Sequence, residues 1–277
     1  MKQIRLVATD LDGTFLKNDK SISAENIRML ELLGERNVLR VVATGRNFKK
    51  VTEVLPAHLP FDYIAFSSGA GIYDWKNKRL VYKQNLPRET THGIIQYFVG
   101  KDMNFHLFRA VPENFRCWYH RGKNQCEEFE RYFEFHNSVS ELLPIQEKLE
   151  KDACQFLVIF PNDPNLFFKV KEELKSRFDD IKVVRTSSPL DTDFIWMEIF
   201  HKDVSKGNAV KYLCEQEKIH HHMTFGIGND YNDLDLLNFT SFSYLVDNGP
   251  NELKPLFRRA LSNENSAFSD SLKKYLK

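Results

Sequence analysis

Residues 6–16 read LVATDLDGTFL. The opening of this run is short, apolar and β-branched, as a buried strand requires. It ends in two acids, Asp10 and Asp12, with Gly13 and Thr14 directly behind them. An unpaired carboxylate away from water is costly. Either the chain leaves the core here and the acids cap a turn, or the acids hold something charged. The segments that follow bear on the choice. SISAENIRMLELLGERN reads as a helix, with Ser23 as N-cap and Ile27, Leu30 and Leu33 at helical spacing. VLRVVATGR reads as a second buried strand ending at Gly45, NFKKVTEVL as a helix stopped by Pro56, and DYIAFSSGAGIYD as a third strand with a glycine-rich turn. This β-α-β-α-β order predicts an α/β fold, a Rossmann-like parallel sheet with helices on its faces.

From about residue 83 the character changes. A helix through NLPRETTHGIIQYFVG precedes the paired strands MNFHLFRA and ENFRCWYHRG, whose aromatics alternate. A further strand ACQFLVIFP, a helix through NLFFKVKEELKSRF and the strands IKVVRTS and FIWMEIF follow. We expect an inserted α/β (α+β) domain at 83–188, of roughly a hundred residues, interrupting a core made of 1–82 and 189–277. The first pattern then returns: a helix capped by Ser205, a buried strand HMTFGIGND, a helix from DLDLLNF and a strand FSYLVDN. NELKPLFRRAL and NSAFSDSLKKYL read as helices.

The bulk numbers exclude more than they assign. A net charge of +1 gives no case for a nucleic-acid partner. No run approaches the length needed to cross a bilayer, so no membrane partner is expected. The start of the chain lacks the apolar core of a signal peptide. Cys117, Cys126, Cys154 and Cys214 form no CxxC pair, which predicts reduced thiols in a cytoplasmic protein. A monomer or weak homo-oligomer is expected.

In open parallel sheets, ligands lie beyond the carboxyl ends of the strands. Four groups of polar residues fall there: Asp10 and Asp12; Thr44, Gly45 and Arg46; Lys206 at a helix start; and Asn229, Asp230, Asn232 and Asp233. Each alone reads as a turn, a cap or a surface lysine. Together they permit a specific chemistry. Asp10 can act as a nucleophile and become an aspartyl-phosphate, and Asp12 as general acid and base. Gly13 allows the tight backbone and Thr14 can hold it. Clustered acids need a cation, and hard oxygen ligands point to Mg2+. Thr44 and the next amide, at Gly45, can donate to phosphate oxygens. Lys206 offers a point charge near a helix N-terminus. Such a site works by positioning and charge neutralisation of a phosphoryl group.

DLDGT, ATGR, SKGNAV and GNDYNDLDLL, in this order, resemble the four motifs of the haloacid dehalogenase superfamily. The insert between the second and third is similar to the α/β cap of the Cof-type, class IIB phosphatases. The resemblance implies Mg2+, an Asp10-phosphate intermediate and hydrolysis of a small phosphorylated metabolite, often a sugar phosphate, with the cap selecting the substrate. It implies phosphate contacts from Leu11, Thr44, Gly45, Lys206 and Asn232. It implies metal contacts from the Asp10 side chain, the Asp12 carbonyl and the fourth motif, where Asp233 supports. Two departures stand out. The family's usual first aspartate of that motif is Asn229 here, with Asp230 following, so either could ligate the ion. The usual NGA after the third strand reads Ser68-Gly69-Ala70. A phosphomutase, or a phosphosugar-binding sensor without turnover, fits the same residues. His220, His221 and His222 are expected to point in different directions, and Phe105, Phe108, Trp118 and Tyr119 to form a sheet core.

Overall fold

The computed structural model describes residues 4–123, 125–145, 149, 151–187 and 193–276. In chain order the first half contains β1 (Leu6–Thr9), α1 (Ala24–Glu35), β2 (Leu39–Ala43), α2 (Phe48–Val54), β3 (Tyr63–Phe66), β4 (Gly71–Asp74), β5 (Arg79–Lys83), α3 (Arg88–Gly100), β6 (Phe105–Arg109) and β7 (Cys117–His120). Then come α4 (Glu127–His136), β8 (Ser140–Leu142), β9 (Ala153–Pro161), α5 (Pro164–Arg177), β10 (Ile181–Ser187), β11 (Phe194–His201), α6 (Lys206–Gln216), β12 (Thr224–Gly228), α7 (Leu234–Phe239), β13 (Phe242–Leu245), β14 (Arg258–Arg259) and α8 (Ala267–Leu272).

Among the described residues the strands form two sheets. The first has the order β14-β13-β12-β1-β2-β3-β4-β5. It is parallel from β14 to β3, and β4 runs antiparallel to β3. The chain leaves β1 toward β2 on one side, while β12 enters on the other, so β1 and β12 flank the point where the winding reverses. The second sheet has the order β10-β11-β9-β6-β7-β8 and is antiparallel except for β7 beside β8. The expected α/β class with a Rossmann-like sheet holds.

The chain divides into two compact units, 1–82 with 205–277, and 83–204. The second ends later than the boundary expected at 188. The reason is strand pairing: β11 lies between β9 and β10, with Ile195 opposite both Phe160 and Ser187, so the chain leaves that sheet only after His201.

Local chemistry accounts for the elements that frame the first sheet. Ser23 caps α1 by accepting from Asn26 N, and Met29, Leu30 and Leu33 are buried along it. Ser205 caps α6 by accepting from Asn208 N, and Ala209, Val210 and Leu213 pack on Leu6, Ala8, Val41 and Ala65 of the sheet. One helix expected from sequence does not form. Residues 251–257 make successive turns, with Leu253 N donating to Pro250 O and Leu256 N to Leu253 O, before Arg258–Arg259 pair with β13. Pro255 supplies no N–H and obstructs the preceding turn of a helix.

In the second unit Phe105, Leu107, Phe156 and Val158 pack with Ile94, Phe98, Phe167 and Val170 of α3 and α5. Phe105 and Phe108 are buried, as a sheet core requires, while Trp118 and Tyr119 are half-buried. The four cysteines are free and buried. His106 of β6 is fully buried, its ring 4.5 Å from that of Phe129 and 5.0 Å from that of Tyr132 on α4. Among the described residues, neither ring nitrogen has a hydrogen-bond partner. Burial, with the like charges of His136 and Arg121 adding to it, pushes this imidazole down to about 3.

The unfolded chain therefore takes up a proton near the ordinary histidine value of about 6.5 while the folded chain refuses it. Stability contributed by neutral His106 is complete above that value and falls as the pH drops toward 3. The slope is about 1.4 kcal/mol per pH unit. Urea unfolding of the wild type between pH 7 and 5, beside His106→Phe, measures it. The variant is expected to lose this part of the acid-side slope, and equal slopes in both proteins would contradict the assignment.

Candidate active site

Strand register brings the four polar groups of the first unit to one edge. Thr9 lies opposite Val42 on β2 and Ile227 on β12, so the residues after each strand emerge side by side. Asp10 follows Thr9 and is anchored by donation from its own N–H to Ile227 O at 2.9 Å. Thr44 N donates to Ala65 O of β3 at 2.9 Å. The loop after β1 is tight. Leu16 N returns to Leu11 O at 2.9 Å, and Leu11, Thr14 and Phe15 are buried. Gly13 has φ +70°, and a Cβ there would lie 2.7 Å from the Asn229 side chain, so only glycine fits both the backbone and the space. Asn248 Nδ2 donates to Gly13 O at 2.8 Å and Asn263 Nδ2 to Leu16 O at 3.1 Å, holding the loop from the far end of the chain.

Lys206 stands at the centre. It is 1% exposed, and its Nζ donates to Asp10 Oδ1 at 2.7 Å, Asp233 Oδ1 at 2.6 Å and Asn232 Oδ1 at 3.3 Å. Burial alone would lower this ammonium, but the carboxylates of Asp10 and Asp233 outweigh it and hold it above the usual lysine range. The second oxygen of Asp233 accepts the backbone N–H of Asn229 at 2.8 Å and of Asp230 at 3.1 Å. Asp233 thus ties Lys206 to the backbone of the 229–233 loop. Its close packing needs Gly228, where a Cβ would lie 2.6 Å from Asp233 Oδ2.

Asp10 is short of positive charge. Two carboxylates, Asp10 and Asp233, share the one ammonium. Burial, with the neighbouring carboxylates of Asp233 and Asp12 adding to it and Lys206 opposing, raises the Asp10 carboxyl to about 7. The other oxygen, Oδ2, faces the end of the Asn229 side chain. One terminal atom of that amide lies 3.1 Å from Asp10 Oδ2 and 3.2 Å from the Asp12 carbonyl oxygen. With NH2 at this position, the amide donates to both. With oxygen there, it stands about 3 Å from each of two other oxygens, the edge length of an octahedron with Mg2+–O bonds of about 2.1 Å. The donor set and the missing charge both fit a hard divalent cation. Asp230 is engaged elsewhere, since its Oδ1 accepts Tyr231 N at 2.8 Å and caps the 231–233 turn.

Asp12 is held apart from Asp10 by two cations. Arg46 clasps it with Nε to Oδ2 at 2.5 Å and Nη2 to Oδ1 at 2.8 Å, and Lys20 Nζ reaches Oδ1 at 2.9 Å. Burial works to raise this carboxyl, but the two cations outweigh it and hold it below the usual range. Thr44 is buried and its hydroxyl accepts Arg46 N at 3.2 Å, which leaves the hydroxyl proton to donate outward. Gly45 lies beside both Asn232 and Ser68, each with a side-chain atom 3.8 Å from where a Cβ would stand. Ser67 and Ser68 both occupy the left-handed region, at φ 48° and 55°, uncommon for residues with a Cβ. Ser67 N donates to Arg46 O and Ser68 N to Thr44 O, so this turn buttresses the Thr44–Arg46 loop.

Asp10, Lys206, Asn232 and Asp233 are thus gathered by direct bonds. Asn229 and the Asp12 carbonyl meet at the second oxygen of Asp10, Thr44 and Gly45 border them, and Leu11 adjoins Asp10. Two residues of the site carried no role in the sequence reading. Arg46 had a signal, its place at a strand end within ATGR. Lys20 had none, lying in a loop without pattern.

Residues 7–268 match the family model for haloacid dehalogenase-like hydrolases. Relatives include the HMP-PP phosphatase of Serratia proteamaculans, 24% identical over 91% of this chain and 87% of its own length. The 5-amino-6-(5-phospho-D-ribitylamino)uracil phosphatase of Escherichia coli is 23% identical over 99% of this chain and 97% of its own. Among solved structures, the haloacid dehalogenase subclass IIB sugar phosphatase BT4131 is similar in fold, with a TM-score of 0.75, 15% identity and 98% of both chains covered.

Proposed function

Because this chain belongs to the haloacid dehalogenase-like hydrolase family, we propose that it is a Mg2+-dependent phosphatase acting on small phosphate monoesters of the sugar-phosphate class. The observation that carries the reading is the environment of Asp10. One of its oxygens is held by Lys206 and the other stands with the Asp12 carbonyl and the Asn229 amide. The carboxylate is thereby aimed out of a strand end with its charge only partly compensated.

Asp10 attacks phosphorus, the ester oxygen leaves, and an aspartyl-phosphate forms. Lys206 and the Thr44 hydroxyl take phosphoryl oxygens, aided by amides at Leu11 and Gly45 and by Asn232. Asp10, the Asp12 carbonyl and Asn229 would hold the ion, which would supply charge neutralisation at the transferring group. Asp12 gives the leaving alkoxide a proton, then takes one from the water that cleaves the acyl phosphate and restores Asp10. Since Arg46 and Lys20 pair with Asp12, proton donation requires the carboxylate to turn away from that pair. Asp230 and Asp233 shape the ligand loop rather than touch the ion. We assign substrate choice to the inserted unit, 83–204.

A panel of phosphorylated metabolites, assayed for phosphate release with Mg2+ and with chelator, tests the reading. Turnover of several sugar phosphates, abolished by chelator, is expected, and an inert, folded protein would defeat it. Asn229→Asp checks the ligand assignment. A charged oxygen replaces a neutral one, so Mg2+ binding followed by calorimetry is expected to tighten by about tenfold, ligand charge being what tunes such sites. Asp230→Asn is expected to leave that affinity nearly unchanged. The opposite pattern would move the ligand to Asp230.

A further inference from the structure

The turn that leads into β12 carries a second group of metal-ligating side chains. His220, His221 and His222 were expected to diverge, yet their nearest ring nitrogens all lie within 4.8 Å of one another. The cause is the backbone. His220 is extended, at φ −75° and ψ 140°, while residues 221–223 wind into one tight turn, so the first ring folds back over the third. The His220 and His222 ring centroids are 4.1 Å apart and those of His220 and His221 4.9 Å.

We propose that these three imidazoles form a site for a borderline divalent transition ion of the Zn2+ type, separate from the oxygen-lined site at Asp10. Three observations support it. The turn is pre-formed: Met223 N donates to His220 O and Arg5 N to Met223 O, each at 2.8 Å, while Thr224 Oγ1 and Ser241 Oγ both donate to His221 O. Buried Ile219 and Thr224 clamp its ends, so binding costs little backbone ordering. The required movement is small. Bonds of about 2.0–2.1 Å to a tetrahedral ion set nitrogens roughly 3.3 Å apart, a rotamer adjustment for two exposed rings and one half-buried ring. The chemistry discriminates, since imidazole suits Zn2+, Ni2+ and Cu2+ whereas Mg2+ selects oxygen. The thiols offer no rival site, because all four are buried and burial raises the Cys117, Cys154 and Cys214 thiols to about 11, 12 and 11. The site lies at the opposite end of β12 from Asn229, the stretch from Thr224 to Asn229 alone spanning about 17 Å at the usual strand rise.

Zn2+ titration by calorimetry in saturating Mg2+ tests the proposal on the whole chain. One ion per chain is expected for the wild type and equally for Asp10→Asn, which separates this site from the proposed phosphatase chemistry. His221→Ala is expected to weaken binding by at least about tenfold, the scale on which even an outer partner of a metal ligand counts. His220→Ala/His222→Ala should abolish the one-to-one event while phosphate release stays unchanged. Zn2+ should also shield these three rings from diethyl pyrocarbonate, read by peptide mass spectrometry on the wild type. Undiminished Zn2+ binding in the double variant, absence of binding in the wild type, or unshielded rings would each overturn the assignment.

Discussion

Asp10→Asn is expected to lower phosphate release by about ten-thousandfold or more, the scale on which loss of a covalent nucleophile is felt, while the fold survives. The amide has the shape of the carboxylate but cannot form an acyl phosphate. Lys206 keeps its bond to Asp233 at 2.6 Å, so the buried ammonium is not left alone. Steady-state release and acid-quenched trapping with labelled substrate are the measurements. The wild type should yield label on the peptide containing Asp10, and the variant none. A variant retaining a tenth of the activity, or trapping label elsewhere, would remove Asp10 from the chemistry. Circular dichroism excludes unfolding as the cause.

Lys206→Met is expected to cost both turnover and stability. The side chain is buried, and its ammonium bridges Asp10 and Asp233, which are 4% and 0% exposed. Methionine fills most of the aliphatic volume but leaves two buried carboxylates facing each other without a cation. Breaking a buried ion pair in this way costs about 3–5 kcal/mol. Urea unfolding measures the loss, and Lys206→Met/Asp233→Asn closes a cycle. Removing one of the stranded charges should recover part of the stability without recovering turnover. A loss below about 1 kcal/mol in the single variant would mean that solvent reaches the pair and that the site is not the dry, ammonium-bridged cluster described above.

The two variants probe different parts of what was legible beforehand. The role proposed for Asp10 did not follow from residues 6–16 alone, which also read as a capped turn; it came from their combination with the ATGR, SKGNAV and GNDYND stretches. Lys206 was read as a phosphate-binding point charge at a helix start, but nothing in the sequence marked it as buried. Its burial comes from α6 packing on β1, β2 and β3, contacts between residues roughly 140 to 200 positions apart. Asn229 and Asp230 are adjacent and both offer a side-chain oxygen, and no spacing rule ranks them. Their surroundings differ: Asp230 caps the turn it begins, while Asn229 precedes that turn and faces Asp10, which is what supports the ligand proposed above. The helix expected at NELKPLFRRAL failed on Pro255, a local signal that apolar spacing outweighed in the reading.

From sequence alone came the α/β class, the interrupted parallel sheet, most of its strands and helices and the four polar strand ends, because each follows from short-range periodicity, capping and turn chemistry; α4, β5 and β8 had no such reading. The tertiary structure alone decided the later boundary of the inserted unit, the burial of Lys206, the clasp of Arg46 and Lys20 on Asp12, and the convergence of three histidines. Those depend on which strands pair, in what register, and on which of several hydrogen-bond partners each side chain takes. Such choices are settled by packing between segments far apart in the chain, and no local pattern records them.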